Sequence, residues 1–100
     1  MPSVKVSVPH ALPREEATRR IRNAIDRAKI QYGNRASRLQ ESWSLDSAEI
    51  SFEAMGFRMG AVIQVQTDLV QVNAQIPMAA LPWKSKIEST IAEQLRALLS

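Results

Sequence analysis

Cysteine is absent from this chain. Disulfides, thiolate zinc sites and cysteine nucleophiles are therefore excluded, and cysteine sets no constraint on the redox compartment. Histidine occurs once, at His10, and glycine only at Gly33, Gly56 and Gly60. No apolar run approaches the length of a membrane span. The first ten residues hold no apolar stretch of signal-peptide length, so the expectation is a cytoplasmic chain without a transmembrane segment. The 100 residues are enough for one core without covalent staples, and no repeat, linker or low-complexity tract divides them. One domain over residues 1–100 is expected.

The apolar pattern changes period along the chain. Val4, Val6 and Val8 alternate with Lys5 and Ser7, as in a short strand closed by Pro9. Pro13 opens a helix with Glu15 and Glu16 in its first turn, where the helix dipole favours acids. Ala17, Ile21, Ala24, Ile25, Ala28 and Tyr32 form its apolar stripe, and Gly33 is placed to end it in the left-handed conformation. From Leu39 to Ile76 the period is two. Turns at Asp46-Ser47, Met55-Gly56 and Thr67-Asp68 would set Leu45 opposite Ala48, Ala54 opposite Phe57 and Val65 opposite Val70. All the apolar sets then share one face, and a one-residue slip at any joint would turn a neighbour's set into water. Pro77 ends the last strand. Pro82 precedes a second helix striped by Trp83, Ile87, Ile91, Leu95 and Leu98, with Ser85 and Glu88 at capping-box spacing.

The expected fold class is α+β, in the order β-α-β-β-β-β-α. It is an antiparallel meander sheet with two amphipathic helices packed on one face, that of Ile50, Phe52, Ile63 and Val72. The place of the first strand is left open by the pattern. Trp43 and Trp83 both fall on core positions.

Several short motifs run nearly end to end along the chain. They are His10-Ala-Leu-Pro-Arg-Glu-Glu-Ala17 after the first strand, Tyr32-Gly33 at the end of the first helix, and the alternating residues 60–65. The Thr67-Asp68 turn, Val70-Gln-Val72 and Leu81-Pro-Trp-Lys-Ser-Lys-Ile-Glu88 complete the set. In these the chain resembles the polyhydroxyalkanoic acid system (granule-region) proteins, and residues 34–40 depart from that pattern in being longer and more basic. The resemblance implies a place in polyester storage metabolism rather than a reaction, and a histidine at position 10.

Little in the sequence points to catalysis. A polyester synthase would need a thiol, and a depolymerase-type hydrolase a Gly-x-Ser-x-Gly elbow, and neither occurs. No phosphate-binding glycine loop occurs either. One histidine and scattered carboxylates do not make a metal site, and no cofactor is expected. His10 fits a loop residue that fixes the strand-to-helix turn better than a proton carrier, because no partner is signalled within hydrogen-bond reach.

Binding surfaces are better represented. Residues 14–38 hold eight Arg or Lys against three acids. Arg19, Arg20, Arg22 and Arg27 are the candidates there for contact with an anionic surface. The i,i+4 spacings Glu15–Arg19, Glu16–Arg20 and Arg22–Asp26 equally suit a solvated helix face. Without interleaved aromatics for base stacking the pattern argues against nucleic acid. Gln64, Gln66, Gln71, Asn73 and Gln75 alternate with core residues and form a neutral outer sheet face, suited to a granule surface, a granule protein or a homodimer. Thr90 and Gln94 interrupt the stripe of the second helix and mark a candidate pocket for an acyl-type ligand. The sequence thus points first to a non-catalytic, granule-associated binding protein, then to a small carrier, and last to a nucleic-acid regulator using the basic helix.

Overall fold

Alternating valines put β-branched side chains on one side of a pleated chain and Lys5 and Ser7 on the other, and this segment forms β1 (Ser3–Pro9). The computed structural model describes residues 2–100. After β1 come α1 (Arg14–Tyr32), a short 3-10 helix (Gly33–Arg35), β2 (Ser37–Trp43), β3 (Ser47–Ala54), β4 (Phe57–Val65) and β5 (Leu69–Gln75). A second 3-10 helix (Met78–Trp83) leads into α2 (Lys84–Leu99). The α+β class and the order β-α-β-β-β-β-α are as expected. All neighbours are antiparallel in the sheet order β1-β5-β4-β3-β2. The open question of the first strand is answered at the β5 edge, where Val4, Val6 and Val8 face Ala74, Val72 and Val70.

Two of the three turns stand where the alternation puts them. Ala54 pairs with Phe57 across Met55-Gly56, whose φ values of 55° and 82° are both positive, as a two-residue hairpin of type I′ requires. Val65 pairs with Val70 across Thr67-Asp68, closed by the Gln66 N–H donating to Leu69 O at 2.8 Å. The first turn is displaced. Its loop is Leu45-Asp46, so Trp43 rather than Leu45 faces Ala48, and Leu45 is 91% exposed. The displacement is two residues in register, which keeps every side chain on its face, so the alternation alone could not detect it. A bulge then sets Arg38, at φ 54°, and Leu39 opposite Phe52 alone.

Both helices lie on the apolar face, but they cover it unevenly. The buried core joins β1, β5 and the end of β4 to Ala17 and Ile21 of α1 and to Leu95 and Leu99 of α2. Ile50 and Phe52 of β3 are only half-buried. The two helices cross the sheet in opposite senses. The start of α1, the end of α2 and the turns at residues 45–46 and 67–68 gather at one end with His10. The end of α1, the start of α2 and the Met55-Gly56 turn gather at the other.

Three further expectations are corrected. Gly33 is right-handed, at φ −57°, because the chain tightens into a 3-10 turn instead of stopping. The second 3-10 helix takes up the stretch expected to begin α2, so Trp83 becomes its N-cap residue and is 59% exposed rather than a core residue. Ser85 then lies inside α2, and no side-chain capping bond forms.

Candidate functional site

Three groups of polar residues are built by this arrangement. At the end of β1, His10 turns the chain into α1. Its own N–H donates to Asp68 O at 2.9 Å, and the Leu12 N–H donates to its Nδ1 at 3.1 Å. With Nδ1 accepting, the proton of the neutral ring sits on Nε2, which lies 2.9 Å from Gln66 O and donates to it. Arg14, on the first turn of α1, donates to Thr67 Oγ1 at 3.0 Å and stands 3.7 Å from Asp46 Oδ2. The histidine motif and the Thr67-Asp68 turn, more than fifty residues apart in sequence, are thereby one structural node. Both ring nitrogens of His10 are committed to the main chain.

The second group was not legible in the sequence. Glu41 pairs with Ile50 and so stands on the helix-facing side of β2. Lys29 of α1 donates to its Oε1 at 2.6 Å, and the Trp43 indole N–H donates to its Oε2 at 2.5 Å. The Lys29 ammonium first, then the indole N–H, holds the Glu41 carboxyl below the usual carboxylate range. Glu41, followed by Asp26, pushes Lys29 up. Arg22 lies over the Trp43 ring, 4.5 Å from its centroid. The signal was an acid in phase with Leu39 and Trp43 on a strand that a basic helix must approach.

These contacts change the standing of the basic helix. Glu16 binds both Arg19 and Arg20, which together hold its carboxyl down to about 2. Arg20 also donates to Leu98 O at 3.1 Å and Ser100 O at 2.8 Å, at the C-terminal end of α2, where a cation suits the helix dipole. Of the i,i+4 spacings, Glu16–Arg20 is an ion pair, whereas Asp26 pairs with Lys29 and Arg22 stacks on Trp43. Arg20 and Arg22 therefore tie α1 to other elements, Arg19 pairs only within α1, and Arg27 is exposed without such a contact among the described residues.

The third group is the outer face of the sheet. The sheet curls so that this face forms an open trough of about 670 Å³ crossing all five strands. Gly60 and Ser51, which pair across β3 and β4, form its floor with Val62, and Gln40, Asn73 and Gln75 rise around them. Asn73 and Gln75 are the two expected outer-face residues that line it. Gln64 and Gln71 pair with each other on the same face nearer the His10 end, and Gln66 sits at the turn with its carbonyl held by His10. Gly60 lies in close approach to the β3 backbone, which would have to give by a few tenths of an ångström to admit a side chain. A Cβ there would stand 3.3 Å from Ile50 O. The charged side chains on this face are Lys5, Glu49 and Arg58, and Glu49 stands directly beside Val62 across β3 and β4. Thr90 and Gln94 are exposed on α2 and line neither this trough nor a smaller depression beside residues 53–56.

A family model described as "putative polyhydroxyalkanoic acid system protein" matches residues 4–99. The chain belongs to this family. The match to the polyhydroxyalkanoic acid system proteins runs from Val4 in β1 to Leu99 at the end of α2. No curated protein and no solved structure matches the chain. No helix among the described residues is long and apolar enough to cross a membrane.

Proposed function

We propose that this chain is a non-catalytic accessory protein of polyhydroxyalkanoate storage, working in the cytoplasm at the granule and gripping the polyester through the outer sheet trough. The observation that carries this reading is the chemistry of the trough. A polyhydroxyalkanoate offers ester carbonyls as acceptors and alkyl side groups, and no charge along its chain. The trough offers amide and hydroxyl donors from Gln40, Ser51, Asn73 and Gln75 over an apolar floor at Gly60 and Val62. Full charges would demand desolvation against a neutral ester surface, and the three on this face, Lys5, Glu49 and Arg58, are exposed, so their heads can stay in water beside the polymer. A non-catalytic role is supported by His10, the one imidazole, whose two nitrogens are both held by main-chain partners.

The test is co-sedimentation of the purified protein with polyhydroxyalkanoate granules, bare and phospholipid-coated. The comparison variant carries Gln40→Glu, Asn73→Asp and Gln75→Glu, which keep size and change only charge. Wild-type pelleting with bare granules, and loss in the variant, is the expected result. A wild-type protein that stays in the supernatant of bare granules overturns direct polymer contact. A granule protein, or a second copy of the chain, then becomes the partner of this face.

A further inference from the structure

Among the described residues nine large apolar side chains are exposed; eight lie at the end opposite His10, and Leu45 lies at the other. They come from four separate elements. Ile30 at 86% and Tyr32 end α1, Leu39 enters β2, Met55 at 91% and Phe57 flank the β3–β4 turn, and Met78, Leu81 and Trp83 precede α2. Soluble monomers rarely gather so much apolar surface at one place without a partner.

The charge at this end is equally uneven. Arg27, Arg35, Arg38, Arg58, Lys84 and Lys86 surround the apolar groups. Lys29 is held within the fold by Glu41 and Asp26. The remaining acids are Glu53, within 3.2 Å of Arg38, and Glu88. The His10 end carries Glu15, Glu16, Asp46, Asp68 and Glu93 against Arg14, Arg19, Arg20 and Arg96. A twofold contact between copies through the cationic end would press like charges together. An apolar tip carrying Trp and Tyr and ringed by Arg and Lys matches instead an anionic lipid layer, with apolar groups entering between headgroups and long cationic stems reaching phosphate.

We infer that this end of the molecule docks on an anionic phospholipid surface, with Ile30, Met55 and Trp83 entering the headgroup layer and Arg35, Arg58 and Lys84 pairing with lipid phosphates. Apart from Arg58, which also lines the trough, this uses a different part of the molecule and does not depend on the polymer reading.

The experiment is flotation with phosphatidylcholine vesicles, with and without phosphatidylglycerol, read beside tryptophan emission. The wild type should float with the anionic vesicles and not the neutral ones, with a blue shift that Trp83→Phe removes. Arg35→Glu with Lys84→Glu, neither of which lines the trough, should weaken partitioning more than about tenfold. Ile30→Ser with Met55→Asn should also abolish flotation. Asn suits the positive φ of position 55 better than Met does, so the change at that position does not act by unfolding the turn. Leu45→Ser, at the opposite end, should float like the wild type. The inference fails if the wild type ignores anionic vesicles, if the Ile30/Met55 variant floats unchanged, or if Leu45→Ser is as damaging. Vesicle binding without bare-polymer binding would keep this inference and end the trough reading, and the converse result would do the reverse.

Discussion

At the scale of single residues, the polar side chains that matter most are those that tie distant segments. Glu41 holds α1 to β2 through Lys29 and orients Trp43. Glu41→Ala should cost about 2 kcal/mol in urea unfolding, the range for charge-assisted hydrogen bonds reduced by the partial exposure of Lys29. Trp43→Phe should cost less, because the carboxylate keeps its cation. Glu16 gives the acid-side behaviour. Its folded value of about 2 lies below the ordinary 4.5, so its contribution is fully present above the unfolded value. That contribution is lost as pH falls from there through about 2. Urea melts between those limits should show a shallower pH slope in Glu16→Gln than in the wild type. An identical slope would mean that the arginine clasp does not persist in solution.

At the scale of elements, the strands were the legible part. Period two placed every apolar set on one face, and the turns at Met55-Gly56 and Thr67-Asp68 followed from it. The Leu45-Asp46 turn was not legible, because a shift of two residues preserves that face and the deciding contacts are the Ser44 N–H to Ser47 O bond and the Val65 N–H to Asp46 O bond. Ser85 and Glu88 misled because capping-box spacing is local, while the start of α2 is set by the 3-10 turn before it. The candidate site was half legible. Outer-face residues follow from alternation, but the trough depends on sheet curvature, which moved its centre from Gln64 and Gln71 to Gly60 and Asn73. The Met55-Gly56 turn offers a direct check on its type. Gly56→Ala should lower stability by about 1 kcal/mol, since φ is 82° there. Met55→Asn should raise the thermal midpoint, because Asn accepts positive φ more readily than Met. Opposite signs in calorimetry are the expected outcome, and a loss in both variants would rule out a type I′ hairpin.

At the scale of the whole molecule, one layer of two helices must close a sheet of five strands, and it does so from the His10 end. There α1 and α2 meet, with Arg20 bound to carbonyls at the end of α2 and Leu99 buried in the core beside Leu95. Toward the other end α1 is drawn to β2 by Lys29 while α2 stays over β1, and the middle of the sheet is left half-covered. The last turn of α2 should therefore matter far more than its length suggests. Deleting residues 98–100 removes the acceptors of Arg20 and one fully packed leucine. The expected loss is about 3–5 kcal/mol, from the cavity and the broken charge-assisted bonds. A domain of this size has about 5–15 kcal/mol in total, so the truncated protein should remain folded only marginally. Because α2 covers β1, the damage should appear first there. Amide exchange in Val4, Val6 and Val8 should accelerate well before that of Ile63 and Val65 in β4, whose strand keeps neighbours on both sides. Uniform acceleration across β1, β4 and β5 would instead mean that the sheet opens as one unit and that the clasp at α2 has no local role.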